Sequence, residues 1–213
     1  MQIGLPAGIQ SAVFAVSNIV IQVAINSLGT VVMAASGAAY NIEIFNYDIL
    51  NAYSQACTTF VGQNSGAVNM HRCRKTFVLC LAEGFFILAS VLTMILFFGK
   101  NLLAVFNNDS EVVSIGYQRL LIVMLAHSFS FFYEVMSGYL RGFGISLVPA
   151  ILTTVGVCGI RIAWIKFVFP KSETFRTIMT AYPISLSVTA FMILVALICY
   201  HPSRRFKKED NGN

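Results

Sequence analysis

Asn41, Asp48 and Gln55 are spaced by seven, and Asn51 lies close to the same line. A step of seven is about two turns of an α-helix, so these side chains form one stripe. An acid flanked by amides on one helix face is suited to hold a cation or a proton and release it again. Counted from Gly62, Asp48 lies about 21 Å along such a helix and Glu43 about 28 Å. Glu43 is roughly 200° around the helix from Asn41 and belongs to another face. A second set, Asn18, Gln22 and Asn26, recurs every four residues and also shares a face. These amides fit either the wall of a polar cavity or hydrogen bonds between neighbouring helices. Glu134 lies about 10 Å before Arg141, and Glu83 roughly 12 Å past the basic cluster at Lys75. His127 and Arg161 are further titratable groups at intermediate height.

These groups sit in a chain that is 57% hydrophobic and 11% charged, with a mean hydropathy of +0.75 over 213 residues. An ordinary soluble domain carries about 25% charged residues. The expected fold class is therefore all-α and integral to a membrane: a six-transmembrane-helix bundle. A span needs about 20 mostly apolar residues, and six candidates run approximately 4–28, 31–62, 75–98, 113–139, 147–169 and 178–200. Together they make a lobe over residues 1–200, followed by a basic tail at 201–213. The first run has no basic region ahead of it and is too long for a signal core, so it reads as a span.

Ionisable side chains within spans are costly and commonly line ion or substrate paths. On that ground Asp48 and Glu134 are the candidates for cation or proton coupling. Asn18, Gln22, Asn26, Asn41, Asn51 and Gln55 are the candidate lining of a substrate cavity. Glu43, nearer the outer surface, reads as an interfacial or structural residue, and Glu83 as structural. Arg161 is expected either to neutralise a carboxylate or to join a polar path.

Lys and Arg set the orientation. Arg72, Arg74 and Lys75 in the second loop, Arg141 in the fourth and Arg204, Arg205, Lys207 and Lys208 in the tail place both termini in the cytoplasm. The expected location is the plasma membrane. This clustering at segment ends also argues against nucleic acid as the partner of the net charge of +5. The five cysteines are odd in number and lie in or beside apolar runs, which reads as reduced packing residues. His71 and Cys73 have neither a CxxC motif nor a second histidine nearby, so no metal is expected. GxxxxGK[ST], GxSxG and HExxH are all absent, so neither ATP-driven pumping by this chain alone nor enzyme activity is expected.

Several blocks carry a family resemblance. "GLPAGIQ" opens the first span, "INSLG" and "VVMAASGAAYNI" lead into the second, and "FVGQNSGAVNMHRCRK" closes it. "SGYLRGFGISLVP" joins the fourth and fifth spans, and "YPISLSVT" lies in the last. Together they resemble the C-terminal half of the multidrug and toxic compound extrusion (MATE) family. The resemblance implies one lobe of a twelve-helix transporter that exports amphipathic compounds in exchange for H⁺ or Na⁺, with no other cofactor. It implies as partners the lipid bilayer and an N-terminal lobe or a second copy, and it agrees with a chain that starts close to a helix. Acids that many family members carry in this lobe are replaced here by Phe14 and Ser130, and one that some members carry by Asn41. Coupling then rests either in the other lobe or on Asp48 and Glu134. The alternatives are a lipid-linked oligosaccharide flippase of similar architecture, which needs a more cationic cavity than Arg161 and Arg119 supply, or a non-transporting fragment.

Overall fold

In the computed structural model the backbone of residues 4–202 and the side chains of residues 12–202 are described. Gln10, Ser11 and the basic residues Arg204, Arg205, Lys207 and Lys208 lie outside the described side chains. Six long helices follow one another: α1 Gly4–Asn26, α2 Thr30–Gly66, α3 Met70–Ala104, α4 Ser110–Gly142, α5 Leu147–Lys171 and α6 Phe175–Tyr200. No strand occurs among the described residues. By length and composition α3, α4, α5 and α6 are each apolar enough to cross a membrane.

For α2 to α6 hydropathy alone marks shorter segments than the helices that form, whereas α1 ends at Asn26, short of the expected 28. α3 begins at Met70 rather than near 75, because the Asn69 side chain accepts a hydrogen bond from the Arg72 N–H at 3.1 Å and caps the polar first turn. α4 begins at Ser110, where Asp109 accepts from the Glu111 N–H at 2.8 Å. α2 runs on to Gly66, through polar residues expected in a loop. Gly29 (φ 105°) and Gly144 (φ 78°) make the turns after α1 and α4. α6 continues through Pro183 without a break. α5 does not keep one period: Thr154–Gly159 is π-helical, and Phe169–Lys171 ends the helix as a 3₁₀ turn.

α4 is the central strut, buried along most of its length and packed chiefly on α2 and α6. Its contacts with α2 rise together in number, from Gly116 beside Ala35 to Gly138 beside Ser54 and Gly142 beside Val61. The two helices therefore run parallel, with α3 returning the chain between them. Small residues make this approach possible: a Cβ on Gly138 would strike the Ser54 carbonyl, and one on Gly142 would lie 2.7 Å from Val61 Cβ. Hydroxyls close the seam, with Ser54 Oγ donating to the Glu134 carbonyl (2.6 Å) and Thr58 Oγ1 to the Gly138 carbonyl (3.1 Å). Leu50, Cys57, Val61, Phe131 and Val135 belong to an apolar core shared by α2, α3 and α4, while α1, α5 and α6 pack on the other side of α4 around Ile25, Val157, Ile178 and Leu186.

Candidate functional site

Between α1, α2, α4, α5 and α6 lies a cavity of about 680 Å³. α3 contributes none of its lining, because it packs on the outer side of α2 and α4. Apolar and aromatic groups such as Phe14, Ile21, Tyr47 and Tyr182 make up much of the wall. Set into it are three arginines, Arg119, Arg141 and Arg161, and three acids, Glu43, Asp48 and Glu134.

Two of the arginines find acids. Arg119 Nε donates to Glu43 Oε1 at 2.7 Å and its Nη2 to Glu43 Oε2 at 2.8 Å, with both residues about 5% exposed or less. This fork-to-fork geometry is the strongest form of such a pair. Arg141 Nη2 donates to Ser54 Oγ at 2.8 Å and, at a longer 3.5 Å, to Glu134 Oε2. The third arginine has no acid. Arg161 Nε donates to Ser185 Oγ at 3.1 Å, and its guanidinium lies 4.3 Å from the Tyr182 ring centre. Arg119 approaches the same ring at 5.8 Å. Among the described residues no carboxylate forms an ion pair with Arg161, and Asp48 makes no hydrogen bond or ion pair. Asn46 Nδ2 and His127 Nδ1 are joined by a buried hydrogen bond of 2.8 Å.

The structure brings Asp48, Glu134, Asn18, Gln22 and Asn51 together on the cavity wall. Asn26, Asn41 and Gln55 are exposed and lie off it, with Asn26 accepting a hydrogen bond from Gln22 at 2.8 Å. A seven-residue stripe drifts by about 20° per heptad on a straight helix. Gln55 also lies about 6 Å along the axis beyond Asn51. The stripe is therefore in register with the cavity over only part of its length.

Of the two roles expected for Glu43, interfacial or structural, the geometry fits the structural one: it is one half of a buried pair, because the α2–α4 packing brings Arg119 to it from 76 residues away. Arg161, expected either to neutralise a carboxylate or to join a polar path, pairs with no carboxylate among the described residues. Depth alone does not select Arg119: counted from the helix starts on one side, it lies roughly 14 Å along α4 and Glu43 roughly 20 Å along α2, and the register of the two helices closes that offset. Arg141 likewise is a cavity residue of the last turn of α4 and not a free loop charge. Tyr47, Tyr133 and Tyr182 line the cavity as well and were not singled out by sequence. Aromatic residues are frequent throughout the chain, so composition carried no signal for these three.

Residues 6–165 match the MatE family. A probable multidrug resistance protein NorM from Chromobacterium violaceum is 22% identical over 218 residues, which cover all of this chain and 46% of that protein. Multidrug and toxin extrusion protein 1 of Homo sapiens is 26% identical across 61% of this chain and 23% of its own length. The chain thus spans less than half the length of the curated relatives it matches. Among solved structures, an outward-facing multidrug resistance MATE family transporter of the MOP superfamily superposes with a TM-score of 0.80 at 18% identity, covering 93% of this chain and 44% of that one. A MATE in the bent conformation gives 0.81, also at 18% identity, covering 90% and 43%. At these identities the likeness speaks to the fold.

Proposed function

The chain belongs to the MatE family, and from that premise we propose that it is the cavity-bearing lobe of a secondary active transporter, exporting drugs or other amphipathic organic compounds in exchange for H⁺ or Na⁺. It is a multi-pass membrane protein, and the proposed setting is the plasma membrane with both termini cytoplasmic. The names of its relatives as multidrug resistance and extrusion proteins support the substrate class. The proposed working unit adds a second six-helix body, either an N-terminal lobe of the same transporter or a second copy of this chain. The short coverage of the relatives supports that division.

The observation that carries the reading is an unpaired acid on the wall of a cavity of mixed polar and apolar lining. Asp48 is not neutralised by any described arginine, whereas Glu43 is fully engaged and Glu134 is held near Arg141. An unpaired carboxylate facing a cavity attracts a small cation or a proton, and a substrate that competes for that position exchanges with it. If the two occupants favour different openings of the cavity, their exchange drives alternating access. Glu134 serves as a second coupling site when its long contact with Arg141 opens. A lipid-linked oligosaccharide diphosphate is less well served, because three arginines meet three acids and leave the wall without a net positive charge.

The test is efflux of a fluorescent amphipathic cation from vesicles carrying the full transporter, driven by an imposed pH or Na⁺ gradient. Gradient-dependent movement is the expected result. Movement that ignores both gradients excludes the exchange mechanism.

A further inference from the structure

We propose that Arg161, with Tyr182 beneath it, is a recognition site for a single anionic group on the transported molecule, a carboxylate or a phosphate monoanion. The inference rests on the cavity reading above but goes beyond it, because it names the charge on the substrate that the cavity selects.

Charge in the cavity is left unmatched at one arginine. Of three arginines and three acids in one cavity, two pairs form, Arg119 with Glu43 and Arg141 with Glu134. Arg161 and Asp48 remain, on α5 and α2, and they do not pair with each other. Arg161 is 7% exposed, and a guanidinium so enclosed at membrane depth is costly without an anion. Its Nε is used by Ser185, which in turn donates to the Tyr182 carbonyl at 3.1 Å. Its Nη atoms have no partner among the described residues, yet they are not among the fully buried unpartnered atoms. They are open to the cavity that Arg161 lines.

The guanidinium is also held in place. The Tyr182 face lies 4.3 Å below it, and Ser185 fixes the Nε edge. A planar fork fixed in this way presents two parallel N–H donors, which matches a carboxylate or phosphate and not a cation. Arg119 near the same ring adds positive potential, although its own fork is occupied by Glu43. The unpaired Asp48 keeps the exchanged cation, so anion and cation sites are separate walls of one chamber. A substrate bearing both charges would engage both.

Two probes of one shape and opposite charge test this: a dansyl amide ending in a carboxylate and the same amide ending in trimethylammonium. Binding to the full transporter in phosphatidylcholine nanodiscs is read by fluorescence. Wild type is expected to bind the carboxylate probe. Arg161→Gln is expected to weaken it at least about tenfold and to leave the trimethylammonium probe within about twofold. Arg161→Lys is expected to fall between, since it keeps the charge and loses the fork. A measurement on wild type alone guards against a misfolded variant: decanoate is expected to displace the carboxylate probe at lower concentration than decyltrimethylammonium does. Phosphatidylglycerol added to the nanodiscs separates the two sources of the anion: displacement by it points to a lipid headgroup, and no displacement to a soluble amphiphile. Binding of the cationic probe alone to wild type overturns the Arg161 site while the cavity reading stands. Equal weakening of both probes by Arg161→Gln also overturns it. Binding of neither probe removes the cavity reading itself.

Discussion

Glu43 and Arg119 offer a quantitative test of how the cavity wall is held. Both are buried, and two short hydrogen bonds join them. Glu43→Gln keeps the shape but leaves a buried guanidinium facing a neutral amide. Breaking a buried pair from one side costs about 3–5 kcal/mol. At roughly 2–4 °C per kcal/mol for a body of this size, the melting temperature is expected to fall by roughly 6–20 °C. Arg119→Met is expected to fall by a similar amount, because it strands Glu43. The double variant removes both charges, and replacing a whole buried pair with neutral groups is often close to neutral. It is therefore expected to be more stable than either single variant, a failure of additivity of at least about 3 kcal/mol. A thiol-reactive dye gives the assay in detergent, since Cys57, Cys73, Cys80 and Cys158 are buried and become reactive only on unfolding. Additive losses in the double variant would refute the claim that these two residues stabilise the wall as a pair.

The packing and the turns give further expectations. Gly138→Ala is expected to lower the melting temperature, at a cost of about 1–3 kcal/mol, because its Cβ would strike the Ser54 carbonyl. Gly37→Ala, with nothing within 4 Å of its Cβ, is expected to be neutral or to gain up to about 1 kcal/mol. Val68 holds φ 55° in the turn between α2 and α3, so Val68→Gly is expected to raise the melting temperature by relieving about 1 kcal/mol of strain. In the folded protein a maleimide is expected to modify Cys199, the exposed cysteine, before the four buried ones, as mass spectrometry of digested peptides would report.

Much of the architecture is legible in the sequence because a bilayer imposes length. The chain forms six long helices, four of which, α3 to α6, are by length and composition apolar enough to cross a membrane. The helix ends were less legible. Hydropathy reads the apolar stretch, whereas Asn69, Asp109 and the polar last turns of α2 extend the helix beyond it. The π-helical stretch Thr154–Gly159 had no signal, since it changes the hydrogen-bond pattern within an unbroken apolar run. Asp48 and Asn51 share one wall of the cavity, in keeping with a shared helix face that periodicity reports. The partnership of Glu43 with Arg119 was missed because it depends on the register of α2 against α4, which small residues such as Gly138 set and hydropathy does not record. Arg161 was seen as a charge at depth, but its want of an acid emerges only when every other pair is placed.

Asp48 is proposed to exchange a cation for substrate. The measurement that tests it most directly is efflux driven by a pH or Na⁺ gradient in vesicles carrying the full transporter with Asp48→Asn, alongside substrate binding at equilibrium. Gradient-driven efflux is expected to be lost while binding of an amphipathic probe is retained, with Glu134→Gln giving the smaller effect. Efflux by Asp48→Asn that follows the gradient as wild type does would contradict it.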